Sequence, residues 1–389
     1  MNIVYQQIRK RAYQMVDESV ASSTRERLAL LVTGMIKAKS ASPARIAAAL
    51  DQLGVCQALQ ESIERRIRRT ENDVQLTTKL CFHPFAKHHL AVGRPQELLL
   101  AIDPTTQEDR VVMLTVSVWH RGRSLPLAWA IWPANVPLKG AGFWERVAQL
   151  LDEVSQILPD GVPVTWVADR AFGTPAFTDL VIARQWHYIV RVQGQTRCRD
   201  RVNRERQVAS LVRRPRIRAK MRGHVFKSRG WREASVVVLW GRRHKTPLCI
   251  VSDLPPKWRL LHLYRRRYAI EALFRHYKTY GWCWEQGQVT DLDHIRRLLV
   301  GMAWATWIVL FAGSAETVRL LAKKPTGKRR TRPFCGKHSL FWLGLDRLHR
   351  FFCRLHSPPL TWVLFKWTAP NWQDEIRWHH ARAFIFAAR

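Results

Sequence analysis

The chain has 389 residues, with 64 Lys and Arg against 30 Asp and Glu, a formal charge of +34 and a pI near 11.1. So much like charge strains a compact fold unless a polyanion neutralises it, and nucleic acid is the expected partner. A hydrophobic share of 47% with 18 Trp excludes a disordered basic tail, and the length suffices for a sizeable core in two or three structural units.

The seven cysteines (Cys56, Cys81, Cys198, Cys249, Cys283, Cys335 and Cys353) are scattered and form no CxxC pair. They suit reduced thiols and give no zinc site. The first ten residues contain no secretory core. The longest apolar run, residues 298–312, is 15 residues, short of a typical span, and reads as a buried helix. A cytoplasmic protein without a membrane segment is the expectation.

Residues 1–75 read as helical. Ser23-Thr24-Arg25-Glu26 has the form of a capping box ahead of an apolar-rich run to Ile36. Ser42-Pro43 offers an N-cap and a proline at N1 for a helix ended by Gly54, and a third helix over 55–70 carries Arg65, Arg66, Arg68 and Arg69. Region 1–80 is read as a helical, DNA-binding unit.

From Leu98 the pattern turns to β. Residues 98–102 form a continuous apolar run ending in Asp103, as for a strand buried on both faces. Strands follow at 111–119 and 125–132, then a helix over 143–158. A second buried strand over 163–168 also ends in an acid, Asp169; a helix over 175–184 and a strand over 187–192 come next. The order is βββαβαβ. Between Thr196 and Arg232 lie 14 Lys and Arg with only Asp200 and Glu205 as acids. With strand-like segments at 234–240 and 248–251, region 193–255 is read as a β-rich basic insertion. It sits within a catalytic domain over 95–315. A basic, Pro/Gly-broken linker near 323–330 and an aromatic-rich helical region complete 316–389.

Residues 260–278 contain neither Pro nor Gly and read as one helix. At about 100° per residue, Tyr264, Arg267, Glu271 and Lys278 share one narrow stripe. An apolar arc of Leu263, Ile270, Leu273, Phe274 and Tyr277 lies beside it, with Arg266 intruding.

The spacing Tyr-x2-Arg-x3-Glu-x6-Lys resembles the signature of a large branch of bacterial insertion-sequence DDE transposases. Asp169-Arg170-Ala171-Phe172-Gly173 closely resembles that family's second block, and Asp103-Pro104-Thr105-Thr106 resembles its first. The acids are 66 and 102 residues apart, the longer interval holding the insertion. The resemblance covers roughly residues 98–290. It implies an α/β, RNase H-like mixed-sheet core with the basic insertion and flanking helical regions. It implies that Asp103, Asp169 and Glu271 are catalytic and hold two Mg²⁺ ions, with Mn²⁺ as a substitute. Tyr264, Arg267 and Lys278 would contact DNA phosphates, joined by Arg170. Trp231, in Arg229-Gly230-Trp231-Arg232, is the candidate for stacking a flipped base, with a core role equally open to it. Expected partners are double-stranded DNA, as transposon ends and as target, and a second copy of the chain on paired ends, near the bacterial nucleoid. The alternatives are an RNase H-like nuclease without strand transfer and a basic DNA-binding protein with an inactive core.

Overall fold

The computed structural model describes residues 2–138, 140–287, 289–322, 339–353 and 360. The linker expected near 323–330 and the tail beyond 360 lie outside the described residues. The chain begins with helices α1 (Ile3–Met15), α2 (Ser22–Ala38), α3 (Pro43–Gln52) and α4 (Gln60–Glu71). A π-turn (Thr78–Phe82) leads into α5 (His83–Gly93), which the sequence reading did not separate.

Ser42-Pro43 starts α3 as expected, and Gly54 (φ +59°) follows its end. The expected capping box does not form. Helix α2 starts at Ser22 after Ala21, with no side-chain cap, because Glu26 is drawn to Tyr5 and Arg9 of α1 instead. On α4, Ile63 and Ile67 are buried while Arg65, Arg66, Arg68 and Arg69 face solvent.

The sheet strands are β1 (Leu98–Gln107), β2 (Val111–His120), β3 (Arg123–Pro133), β4 (Val164–Ala168) and β5 (His187–Arg191). Helices α6 (Gly140–Ser155) and α7 (Pro175–Ile182) are interleaved in the expected βββαβαβ order. The insertion supplies β6 (Arg197–Arg199), β7 (Glu205–Gln207), β8 (Arg218–Val225), β9 (Arg232–Leu239) and β10 (Leu248–Ser252). All ten strands form one sheet, in the order β3-β2-β1-β4-β5-β10-β9-β8-β6-β7. The mixed RNase H-like core is present: β1 pairs antiparallel with β2 and parallel with β4, and β4 runs parallel with β5. The insertion does not stand apart from this core. Its hairpin of β8 and β9 continues the sheet through β10, which lies antiparallel to β5.

The last elements are α8 (Arg259–Arg265), α9 (Tyr268–Arg275), a π-turn (His276–Tyr280), α10 (Leu292–Ala322) and α11 (Leu340–Phe352). Helix α10 is long and apolar enough to cross a membrane by length and composition, but its apolar window is 94% buried within the protein. Burial inside the fold is what the sequence led us to expect of it. Its polar ring atoms are satisfied inward: Trp304 Nε1 donates to the Cys81 carbonyl at 2.8 Å, and Trp307 Nε1 to that of Pro126 at 3.0 Å. The Phe85 ring stacks on Trp304 at 3.9 Å, and Gly301 lies against Leu31 and Met35 of α2. The N-terminal helices therefore share one continuous core with the sheet.

Helix α11 crosses α10 at two glycines in direct backbone contact. A Cβ on Gly344 would sit 1.8 Å from the Val309 carbonyl oxygen, and one on Gly313 would sit 2.0 Å from that of Leu340. Beside this crossing, Glu316, its side chain 4% exposed, accepts from Arg319, from Arg347 at 2.8 Å and from Arg350 at 3.1 Å. The Arg319 hydrogen bond first, opposed by burial and helped by Arg347 and Arg350, pulls the Glu316 carboxyl from 4.5 down to about 2. A depressed carboxyl stabilises the fold above its unfolded value and loses that contribution as pH falls toward the folded one. Glu316→Gln should therefore cost about 2 kcal/mol at neutral pH. The gap to the unaltered chain should narrow between pH 4.5 and about 2 in thermal melts. A gap that stayed constant across that range would show that the arginines contribute packing rather than charge.

Candidate active site

Sheet register brings two of the three acids together. Ile102 pairs with Ala168 across the parallel β1–β4 ladder, so Asp103 and Asp169 are the next residues on neighbouring strands. Asp169 leaves the sheet as expected. Asp103 does not stand at a strand end: β1 continues four residues further, Asp103 pairing with Thr115 and Pro104 with Leu114 of β2. Past Ile102 the β4 side of β1 is unpaired, which makes room for a proline in the strand.

The block after Asp169 is shaped by packing. It forms a single 3-10 turn, Arg170–Phe172, pinned by the fully buried Phe172 ring against Phe143, Trp144 and Phe177. Gly173 lets the chain pass close to β5, since a Cβ there would lie 2.2 Å from the Arg191 carbonyl oxygen. Arg170 is exposed and makes no ion pair among the described residues.

The third acid comes from the segment expected to be one helix, which is two helices and a π-turn. The break falls at Arg266 and Arg267, where backbone bonds tighten to the i→i+3 type. Both side chains explain it. Arg266 stacks over Trp119 at 3.9 Å, and the Arg267 guanidinium is folded inward, 4% exposed. Arg267 Nη1 donates to Asp103 Oδ2 at 2.7 Å and Nη2 to Glu271 Oε1 at 2.7 Å, so one guanidinium bridges the first and third acids. Tyr264 is buried and its hydroxyl donates to Asp169 Oδ1 at 3.1 Å. The apolar arc of Leu263, Ile270, Leu273, Phe274 and Tyr277 is buried as expected.

Lys278 departs from the stripe because the π-turn resets the helical phase. It pairs with Glu285 at 3.5 Å. Trp231 is half-buried at the foot of β9 with the Arg199 guanidinium over its ring at 4.7 Å. Sequence reasoning missed Arg191, whose Nη1 lies 3.6 Å from Asp169 Oδ1. Its signal was a basic residue closing the strand beside the one that delivers Asp169.

The acids differ in basicity. Burial, helped by the charges of Asp169 and Glu271 and opposed by Arg267, pushes the Asp103 carboxyl up to about 6. Burial also acts on Asp169, but the Arg170 backbone N–H, Arg267, the Tyr264 hydroxyl and Arg191 outweigh it and hold that carboxyl below its usual value. The charges of Asp169 and Glu271 both bear on Asp103, and the oxygen donors of the three acids suit a hard divalent cation. Among the described residues they do not converge as a ready metal cluster, for Arg267 stands between Asp103 and Glu271.

Two carboxylates thus lie on adjacent strands of the mixed sheet, beside a strongly cationic insertion. Residues 145–308 match the family described as Transposase DDE domain, a span that includes Asp169 and Glu271 and begins after Asp103. Over those residues the chain is similar to the DDE transposases, a family whose chemistry is DNA cleavage and strand transfer dependent on divalent metal ions. No curated protein matches the chain in sequence. Among solved structures it is similar to a piggyBac transposase synaptic complex with hairpin DNA, at 11% identity and a TM-score of 0.40, over 96% of this chain and 81% of that one. It is also similar to human endonuclease V, at 12% identity and a TM-score of 0.26, over 51% of this chain and 97% of that one.

Proposed function

We propose that the chain binds the terminal repeats of an insertion sequence, frees 3′-OH ends and joins them to target DNA, with Asp103, Asp169 and Glu271 holding two Mg²⁺ ions or Mn²⁺ in their place. The observation that carries this reading is the meeting of Asp103 and Asp169 across β1 and β4, with Glu271 tied to the same site through Arg267. Bound divalent ions would activate the attacking water or hydroxyl and offset charge on the leaving oxygen. The chain's own residues orient that chemistry. Tyr264 fixes the Asp169 carboxylate, Asp103 is largely covered with its side chain 15% exposed, and the exposed Arg170 would meet a DNA strand beside the Asp169 turn. Arg267 and Lys278 serve as phosphate contacts once DNA draws them from their acidic partners. Two copies, one per end, suit a chain with one such set of acids. Trp231 takes the base-stacking role, displacing Arg199 from its ring.

The experiment is direct: supply DNA bearing the sequences that flank the gene, add Mg²⁺ or Mn²⁺, and sequence the products. Joined ends support the proposal. Cutting without joining would favour a nuclease, and binding without cutting an inactive core.

The insertion supplies the counter-charge. Arg213, Arg214 and Arg216 are exposed without ion pairs among the described residues, and Arg218 lies over the Trp258 ring at 4.4 Å. Replacing these four arginines by Gln should weaken DNA binding and reduce the slope of log affinity against log salt by about 0.9 for each phosphate no longer neutralised. An unchanged slope would mean that this run faces only solvent.

A further inference from the structure

The Arg267 guanidinium is nearly sealed, yet only part of its donor set is used. Nη1 and Nη2 each reach a different acid, on β1 and on α9, while Nε is buried with no hydrogen-bond partner among the described residues. A guanidinium satisfied by its site would engage one carboxylate with two parallel bonds. This one is stretched between two acids. It also occupies Asp103 Oδ2 and Glu271 Oε1, two of the oxygens that a divalent cation would need. The backbone beneath it is a hinge of two residues between α8 and α9, not a helix interior. A way out lies over Tyr268, whose ring is 5.0 Å from the guanidinium and which is 53% exposed.

We infer that Arg267 is the internal occupant of the cation site: in the DNA-free chain it neutralises Asp103 and Glu271, it must leave them before a divalent ion can be held, and a DNA phosphate draws it away. The inference rests on the carboxylate assignment proposed above. Asp103, its side chain only 15% exposed, is costly to hold ionised beside the half-exposed Glu271 without a counter-ion, and Arg267 supplies one. A competing guanidinium lowers the apparent metal affinity by the fraction of chains in which it has left. A phosphate that captures Arg267 removes that competition, so DNA and metal bind cooperatively and each raises the affinity of the other. The enzyme would stay unarmed until an end is in place.

The test measures Mn²⁺ binding to the full chain without DNA, from the electron paramagnetic resonance signal of the free ion. Arg267→Gln and Arg267→Ala should bind Mn²⁺ at least tenfold more tightly than the unaltered chain, with circular dichroism confirming the fold. End DNA should raise the affinity of the unaltered chain more than that of the variants. Equal or weaker Mn²⁺ binding by folded variants overturns the inference. If neither variant folds, the Arg267 guanidinium ¹⁵N–¹H resonance of the unaltered chain serves instead. It should change over the same Mg²⁺ concentrations that saturate the site, and a resonance indifferent to bound Mg²⁺ overturns the inference. Asp169→Asn separates the two levels. If the unaltered chain holds Mn²⁺ and Asp169→Asn does not, the carboxylate assignment stands whatever Arg267 does. If the unaltered chain holds no Mn²⁺ even with DNA, the assignment falls and the Arg267 inference with it.

Discussion

Asp103→Asn, Asp169→Asn and Glu271→Gln should each reduce DNA cleavage by about a thousandfold or more while binding to end DNA survives. Losing one metal ligand removes several kcal/mol of charge stabilisation from the transition state, and about 4 kcal/mol corresponds to a thousandfold. The substitutions keep size and an acceptor oxygen, so Arg267 retains a hydrogen bond on either side. Asp169 is the cleanest of the three, because its partners are the Tyr264 hydroxyl and the more distant Arg191 rather than the bridging guanidinium. Cleavage in Mg²⁺, run beside a gel shift on the same preparation, reads both arms. Full activity in any one variant would remove that residue from the site.

The largest effect on stability should come from a residue with no side chain. Gly344→Ala places a methyl group 1.8 Å from the Val309 carbonyl, a rigid backbone atom that cannot turn aside. The helices must separate, which should cost about 3 kcal/mol. The effect should reach the site as well. The Phe341 ring at the start of α11 stacks at 3.9 Å on His276, the first residue of the π-turn that follows α9. Lifting α11 removes that support from the segment that carries Glu271. Thermal melting and cleavage rate should fall together; a lowered melting point with cleavage unchanged at assay temperature would uncouple α11 from the site.

What could be read in the sequence follows from which physical signal is local. Apolar runs marked β1, β4 and β5 because buried parallel strands need little else. The spacing of Tyr264, Arg267 and Glu271 placed three residues on one side of the chain; Tyr264 reaches Asp169, Arg267 reaches Asp103, and Glu271 joins them only through Arg267. The break between α8 and α9 was not legible. A helical count assumes constant twist, whereas the break is imposed by tertiary partners, Trp119 for Arg266 and Asp103 for Arg267. Lys278 was misplaced for the same reason, the π-turn having altered the phase. The extension of β1 past Asp103 was hidden because Pro104-Thr105-Thr106 reads as a turn. Strand β8 was hidden because its alternation of Arg218, Lys220 and Arg222 drowned in basic residues. The closeness of Asp103 and Asp169 is a fact of strand register, which no single stretch of sequence encodes.

The continuity of the ten-stranded sheet has a metric consequence. Strand β4, which delivers Asp169, and β8, which begins at Arg218, belong to one hydrogen-bonded array, four strand steps apart. At about 4.8 Å per step the interval is about 19 Å, close to the reach of five or six nucleotides at roughly 3.4 Å each. With the roles proposed for Asp169 and Arg218, such an array would be a ruler, cutting at one mark and gripping at the other. Loops between its strands can lengthen or shorten without moving either mark. Only the gain or loss of a whole strand moves the far mark, in increments of about 4.8 Å.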